Sequence, residues 1–281
     1  MAVRKCYLSE GWYPQDQASA SRDLDKYLAE ATRHAFIMEP RCLAAVAPHA
    51  SWFYSGTLAT AAVSALRRDA ETVVIFGGHL PDHSEPLMAE DDSFSTPLGP
   101  LESDVELSRL LSSRFSFRSD RISDNTVEIQ LPLIKRFFSA SRIVWLRMPA
   151  SMEAFELGKT VYELASALGR TIVALGSTDL THYGPNYGFM PKGTGEGALR
   201  WVRETNDKRF IDALLEGNAE KAISLALDES SACSPGGAVA ALGFAQAAGA
   251  GNARLLGYGT SADVSPASSF VGYAAISWAP K

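Results

Sequence analysis

Six short apolar runs punctuate this chain, at residues 43–47, 72–76, 142–148, 171–175, 255–258 and 270–277, and the middle four are apolar continuously rather than at alternate positions. An alternating run has one face for a core and one for water, whereas a continuous run must be covered on both faces. Strands of that kind belong to parallel or mixed sheets flanked by helices. Helical patterns lie between them. Residues 57–68 are Ala-rich and end in Arg67-Arg68, cations that suit the negative end of a helix dipole. Residues 104–113, 128–138 and 152–168 carry apolar side chains at helical spacing, the last with Phe155, Leu157, Val161, Leu164 and Leu168 on one stripe. Further helical patterns cover residues 200–215, 219–226 and 237–248. The alternation predicts an α/β fold, one domain over residues 1–281 layered helix–sheet–helix.

Composition narrows the function. Hydrophobic residues make up 46% and charged residues 21%, so a sizeable core is expected. The net charge is -6 and the longest basic cluster is the pair Arg67-Arg68, which argues against a nucleic-acid surface. No run of 18 apolar residues offers a membrane span, and residues 1–13 are too polar for a signal peptide. Cys6, Cys42 and Cys233 are too few and scattered for a disulfide framework, so a soluble cytoplasmic protein with reduced thiols is expected. Residues 183–197 form the one long irregular stretch. Because it directly follows a candidate site, it reads as a functional loop rather than a tether.

The chemistry concentrates at strand ends. Of five histidines, three close an apolar run: His49 after Ala47-Pro48, His79 after Phe76-Gly77-Gly78, and His182 a few residues beyond Leu175. Ligands of open α/β sheets bind outside the carboxyl ends of the strands, so parallel strands would bring these imidazoles to one edge. Taken singly, each His could equally serve a turn hydrogen bond. Pro48 fixes the backbone before His49, and Gly77-Gly78 permits a sharp turn or close approach to a ligand. Asp179 and His182 lie three apart, as they would on one face of a helical first turn. Paired, the carboxylate would orient the imidazole for proton transfer; alternatively Asp179 is a helix N-cap. Cys233 precedes the Ala-rich helix at 237–248, where a helix N-terminus lowers a thiol pKa. Thiolate and imidazoles together select zinc, iron or copper, although a buried structural role is the commoner fate of a free cysteine. Asn125 or Thr126 is the expected cap of the helix at 128–138, with Glu128 in its first turn.

These motifs, taken in order, resemble the Memo family: Gly11-Trp12-Tyr13-Pro14, Ala47-Pro48-His49-Ala50, Phe76-Gly77-Gly78-His79, Val127-Glu128-Ile129-Gln130-Leu131-Pro132, Ser177-Thr178-Asp179-Leu180-Thr181-His182-Tyr183-Gly184 and Ala232-Cys233. The series ends with residues 257–263 and 270–275. The resemblance, including to the protein B of AmmeMemoRadiSam systems, implies a fold similar to the class III extradiol ring-cleaving dioxygenases. It places the family's pocket on His49, His79, Asp179, His182 and Cys233. Where the dioxygenases use a carboxylate as third iron ligand, this chain has Cys233. Asn125-Thr126 replaces the family's usual His-Ser, Ser234 replaces a glycine, and the second histidine arrives one residue early, which leaves His83 as an alternative to His79.

Three functions follow as expectations. In the first, His49, His79 and Cys233 bind iron or copper, with zinc as a further option, and His182 oriented by Asp179 moves protons in a dioxygenase-like oxidoreductase. In the second, the pocket binds a peptide or small ligand without chemistry. In the third, Cys233 and His182 form a thiol hydrolase. The resemblance also suggests a radical-SAM protein and an AMMECR1-like protein as partners; the charge and the lack of a long apolar run lead us to expect neither nucleic acid nor membrane.

Overall fold

The computed structural model describes residues 2–281 and is built on a nine-stranded mixed sheet with helices on both faces. Six strands matter here: β1 (Ala44–Ala47), β2 (Thr72–Leu80), β3 (Arg142–Pro149), β4 (Ile172–Ser177), β5 (Ala250–Thr260) and β6 (Phe270–Pro280). β1, β4, β2 and β3 lie side by side in that order, all parallel. β6 pairs antiparallel with β1, and β5 antiparallel with β6. The run at 255–258 is therefore not a doubly covered parallel strand: it sits in β5, where Leu255 is 42% exposed. Its apolar continuity came from a half-buried outer strand. The run at 43–47 belongs to the parallel set instead.

The pleat divides the strands between two cores. Val46, Val74, Phe76, Val144, Leu146 and Ala174 face one side, and Ala45, Val73, Ile75, Ile143, Trp145 and Val173 face the other. The second side is covered by α1 (Gln17–Arg33) and α2 (Trp52–Ala65). The first is covered by α3 (Val105–Ser112), α4 (Met152–Ala167), α5 (Asp207–Leu215), α6 (Ala219–Glu229) and α7 (Pro235–Ala247). This is the expected helix–sheet–helix layering. Among the described residues no helix is long and apolar enough to cross a membrane.

Helix α7 lies very close to the sheet, because its first turn is glycine. A Cβ on Gly237 would come within 2.4 Å of the Phe76 carbonyl oxygen, and one on Gly176 within 2.6 Å of the Gly237 oxygen. That approach brings the N-terminus of α7, and Cys233 just before it, onto the carboxyl ends of β2 and β4.

Several local boundaries differ from the periodicity. The helix expected at 57–68 starts earlier and ends at Ala65; Arg67 pairs with Asp69, while Arg68 Nη2 caps the Ser64 carbonyl. The helix expected at 128–138 is two pieces, Asn125–Glu128 and Leu131–Phe137, with Pro132 opening the second. Its cap is Asp124, whose side chain accepts the Thr126 N–H, rather than Asn125 or Thr126. The helix expected at 200–215 carries a π-helical segment, Val202–Asn206, before α5, which turns Asn206 and Asp207 inward. Asp179 and His182 share no helical turn. Leu180 N–H donates to the Gly272 carbonyl and Gly272 N–H to that of Thr181, so the stretch is extended and ends in the short strand His182–Tyr183.

Candidate metal centre

β1, β4 and β2 are neighbours, so their carboxyl ends deliver His49, the segment containing Asp179 and His182, and His79 to one place. One donor atom each from His49, His79 and Cys233 lies within 4.8 Å of the others. Cys233 Sγ is 3.2 Å from His49 Nε2, and the His49 and His79 rings meet edge to face at 4.9 Å. His83 takes no part: it is exposed and pairs with Asp82. His79, which lies within β2 where the pairing with β3 is interrupted between Gly77 and Leu80, is therefore the histidine that joins the cluster.

Each candidate donor is held from behind. Pro48 stops β1, Gln130 Nε2 donates to the Pro48 carbonyl at 2.8 Å, and Asn125 Nδ2 donates to the His49 carbonyl at 2.9 Å. His49 Nδ1 lies 3.3 Å from Ser177 Oγ, leaving Nε2 towards the sulfur. Asp179 is not a helix cap. Its Oδ1 accepts the N–H groups of His49 and Ala50, and its Oδ2 lies 3.9 Å from His49 Nε2 and 3.8 Å from His182 Nε2. His79 occupies the left-handed region at φ 60°, a conformation costing on the order of 1–3 kcal/mol. Its Nδ1 is 2.9 Å from Asp124 Oδ2. Cys233 N–H donates to the Asp179 carbonyl, and Ser234 N–H to Thr178 Oγ1, which seats the sulfur at the foot of α7.

The charges are coupled. Burial alone would raise the Cys233 thiol, but His49 foremost, with His182 and His79, holds it well below its ordinary value. Burial opposes charge on the imidazoles too. On His79 it is outweighed by the Asp124 hydrogen bond and Cys233, which push the ring up to about 10. On His182 it is outweighed by Asp179 and Cys233, again to about 10. Fully buried His49 is raised by Cys233 and Asp179 against its own desolvation. The group is a thiolate among imidazoles that share its protons, and a cation entering there would displace them.

Two openings reach the centre. A cavity of about 580 Å³ exposes His49, His79, Asp179 and His182, with Trp12, Tyr54, Tyr187 and Tyr273 among its walls. Neither Lys nor Arg lines it among the described residues. A smaller, mostly apolar recess of about 330 Å³ reaches Cys233 and His182 from the other side. The irregular segment after Tyr183 contributes Asn186 and Tyr187 to the larger cavity, and is closed by the Tyr183 hydroxyl, which donates to the Gly193 carbonyl. His182 Nε2 is buried with no hydrogen-bond partner among the described residues. Cys6 and Cys42 stand apart from the cluster.

Sequence reasoning gave Asp124, Ser177 and Ser234 no part in holding the cluster. Asp124 opens an Asp-Asn-Thr turn whose only sequence signal is that of a cap, and Ser177 is one more small residue at a strand end.

The Memo-like protein family model matches residues 4–277. A MEMO1 family protein of Thermococcus onnurineus is 31% identical over 289 residues, covering 98% of each chain. Another, from Methanosarcina acetivorans, is 34% identical over 283 residues, covering 98% of this chain and 99% of the relative. The crystal structure of an uncharacterized protein from Escherichia coli K12 superposes with a TM-score of 0.52 at 12% identity, covering 84% of this chain and 99% of that one. At that identity the likeness speaks for the fold alone. With a family model running almost end to end and full-length relatives above 30% identity, the chain belongs to the Memo family.

Proposed function

We propose that this chain is a metal-dependent oxidoreductase whose ion is held by His49, His79 and Cys233. The observation that carries the reading is the mutual approach of two imidazole nitrogens and a thiol of lowered pKa within 4.8 Å, the imidazoles lining the larger cavity and the thiol the smaller recess. The donor chemistry fits a soft or borderline transition ion. Iron and copper suit it better than zinc, since redox work needs an ion with two accessible oxidation states. When bound, such an ion would supply one-electron redox and Lewis-acid chemistry at the cavity floor.

The protein's own contributions are separate from that. Trp12, Tyr54, Tyr187 and Tyr273 line room for a ligand the size of a small molecule or a peptide side chain. His182 gives or takes a proton at Nε2, a buried nitrogen with no hydrogen-bond partner among the described residues, and the Asp179 carboxylate 3.8 Å away stabilises its charged form. Purification without chelator under anaerobic conditions, followed by elemental analysis, tests the reading. Near-stoichiometric metal in the native chain, lost in a His49→Ala/His79→Ala double variant, is the expected result; equal metal in both would overturn it.

The depressed Cys233 thiol also suits a thiol hydrolase with His182 as base. That alternative leaves His49 and His79 without work. Turnover that survives complete metal removal and stops on Cys233→Ser would favour it.

A further inference from the structure

Asp124 stands outside the donor set yet touches it. Its Oδ2 meets His79 Nδ1 at 2.9 Å, and the same oxygen lies 3.2 Å from Arg147 Nη2. Its Oδ1 accepts both the N–H and the hydroxyl of Thr126. Arg147, 3% exposed, donates from Nε to the Gly78 carbonyl at 2.9 Å, and its Nη1 lies 3.5 Å from Asp120 Oδ1. The peptide around His79 is gripped as well: Gly78 N–H donates to Thr126 Oγ1 and His79 N–H to Ser234 Oγ, each at 3.1 Å. A buried Arg–Asp pair gains little stability over apolar packing, so a turn alone is a poor reason to keep one. What the pair does here is specific. With Nδ1 committed to a carboxylate, the ring carries its proton there and offers Nε2 as the free nitrogen.

Resting on the metal-centre reading above, we propose that Asp124, braced by Arg147, is the positioning residue for His79. It fixes the tautomer and the orientation of that residue, and the left-handed backbone of His79 is the conformation in which its ring meets both Asp124 and Cys233. Thr126 and Ser234 supply the hydroxyls that pin the same peptide.

Co²⁺ titration of the full chain, followed by its thiolate charge-transfer absorption at fixed pH, tests this. Asp124→Ala is expected to weaken binding roughly 10- to 100-fold, the usual effect of losing a partner behind a metal-bound histidine. Asp124→Asn, which keeps shape and one acceptor oxygen, should weaken it by about tenfold. It stands in if the alanine variant does not fold. Ring ¹⁵N shifts of His79 in the Zn²⁺-loaded chain supply a second readout: coordination through Nε2 with the proton on Nδ1 in the native chain, a mixture of Nε2 and Nδ1 coordination in the variants. A merely structural Asp124 would lower the melting temperature and leave the tautomer and the folded fraction's affinity unchanged. Affinity within threefold of native in the folded variants, with the tautomer unmoved, would overturn the assignment of Asp124 and leave the metal centre standing. Absence of Co²⁺ binding by the native chain would overturn both.

Discussion

Asp179 Oδ1 accepts the backbone N–H of His49 at 2.7 Å, so a carboxylate from the end of β4 fixes the backbone that carries an imidazole at the end of β1. The two residues are 130 positions apart in the chain and neighbours in the sheet. Oδ2 of the same carboxylate is left for the imidazoles.

Asp179→Ala removes the acceptor of two N–H groups in a buried site, and should cost about 2–4 kcal/mol of stability. Asp179→Asn keeps an acceptor oxygen and should cost about 1 kcal/mol. In the asparagine variant the His182 imidazole, no longer facing a negative charge, should titrate well below 10 and towards its ordinary 6.5. Urea denaturation and NMR titration of the metal-free chain measure the two effects. A His182 midpoint unchanged by the substitution would show that Asp179 does not support its charge.

Cys233 offers a chemical test. Because its folded-state pKa is lowered, the thiolate of the metal-free chain persists as pH falls from 9 towards neutrality, and iodoacetamide should label it at a nearly constant rate over that range. Burial raises Cys6 and Cys42, so their labelling should be slow at pH 7 and rise with pH. His49→Ala removes the largest influence lowering the Cys233 thiol and should restore a steep pH dependence. Mass spectrometry of the labelled peptides distinguishes the three sites. A Cys233 rate that climbs tenfold per pH unit between 7 and 8 would contradict the thiolate.

Much of this was legible in the sequence, and the reason is geometric. In parallel strands, carboxyl ends share an edge, so His49 and His79 could be placed together from the two apolar runs they follow, although β2 runs on through His79 to Leu80. Cys233 was readable from the helix that follows it. Asp124 was not, because its partner is 45 residues away and the contact depends on how the short helix Asn125–Glu128 docks against β2. The spacing of Asp179 and His182 suggested a helical turn for the same local reason, and the tertiary backbone pairing of Leu180 and Thr181 with Gly272 overrode it. Inward-facing Asp207 was equally hidden, since a π-helical segment shifts the helical phase that periodicity relies on.

Glu128 looked like a first-turn acid, and its actual task is to tie down the N-terminal segment. Its Oε1 accepts the N–H groups of Tyr7 and Leu8 at 2.8 Å each and the Tyr13 hydroxyl at 2.9 Å. Glu128→Ala leaves those donors without their acceptor and should lower stability by about 2–4 kcal/mol, while Co²⁺ affinity of the folded variant stays within about twofold of native. Calorimetry and metal titration on one preparation check both. A large loss of affinity without a drop in melting temperature would assign Glu128 to the metal centre instead.

Asp207 should give the protein a measurable acid optimum in its local contribution to stability. Burial raises its pKa to about 6, against the hydrogen bonds from Thr181 and Tyr258 and the nearby His182, which act to lower it. An unfolded Asp titrates near 3.9. Between those values the native state holds a proton that the unfolded chain has released, so this contribution is fully present at low pH and is lost as pH rises through 6. The expected loss is about 3 kcal/mol. Asp207→Asn can still accept from Thr181 and meet the Tyr258 oxygen, and it cannot ionise. Relative to native, the variant should therefore gain stability between pH 4 and pH 7, by up to about 3 kcal/mol, in urea denaturation at a series of pH values. Other titrating groups are common to both proteins and largely cancel in the difference. A difference curve flat across that range would mean that Asp207 ionises as readily inside the fold as outside it.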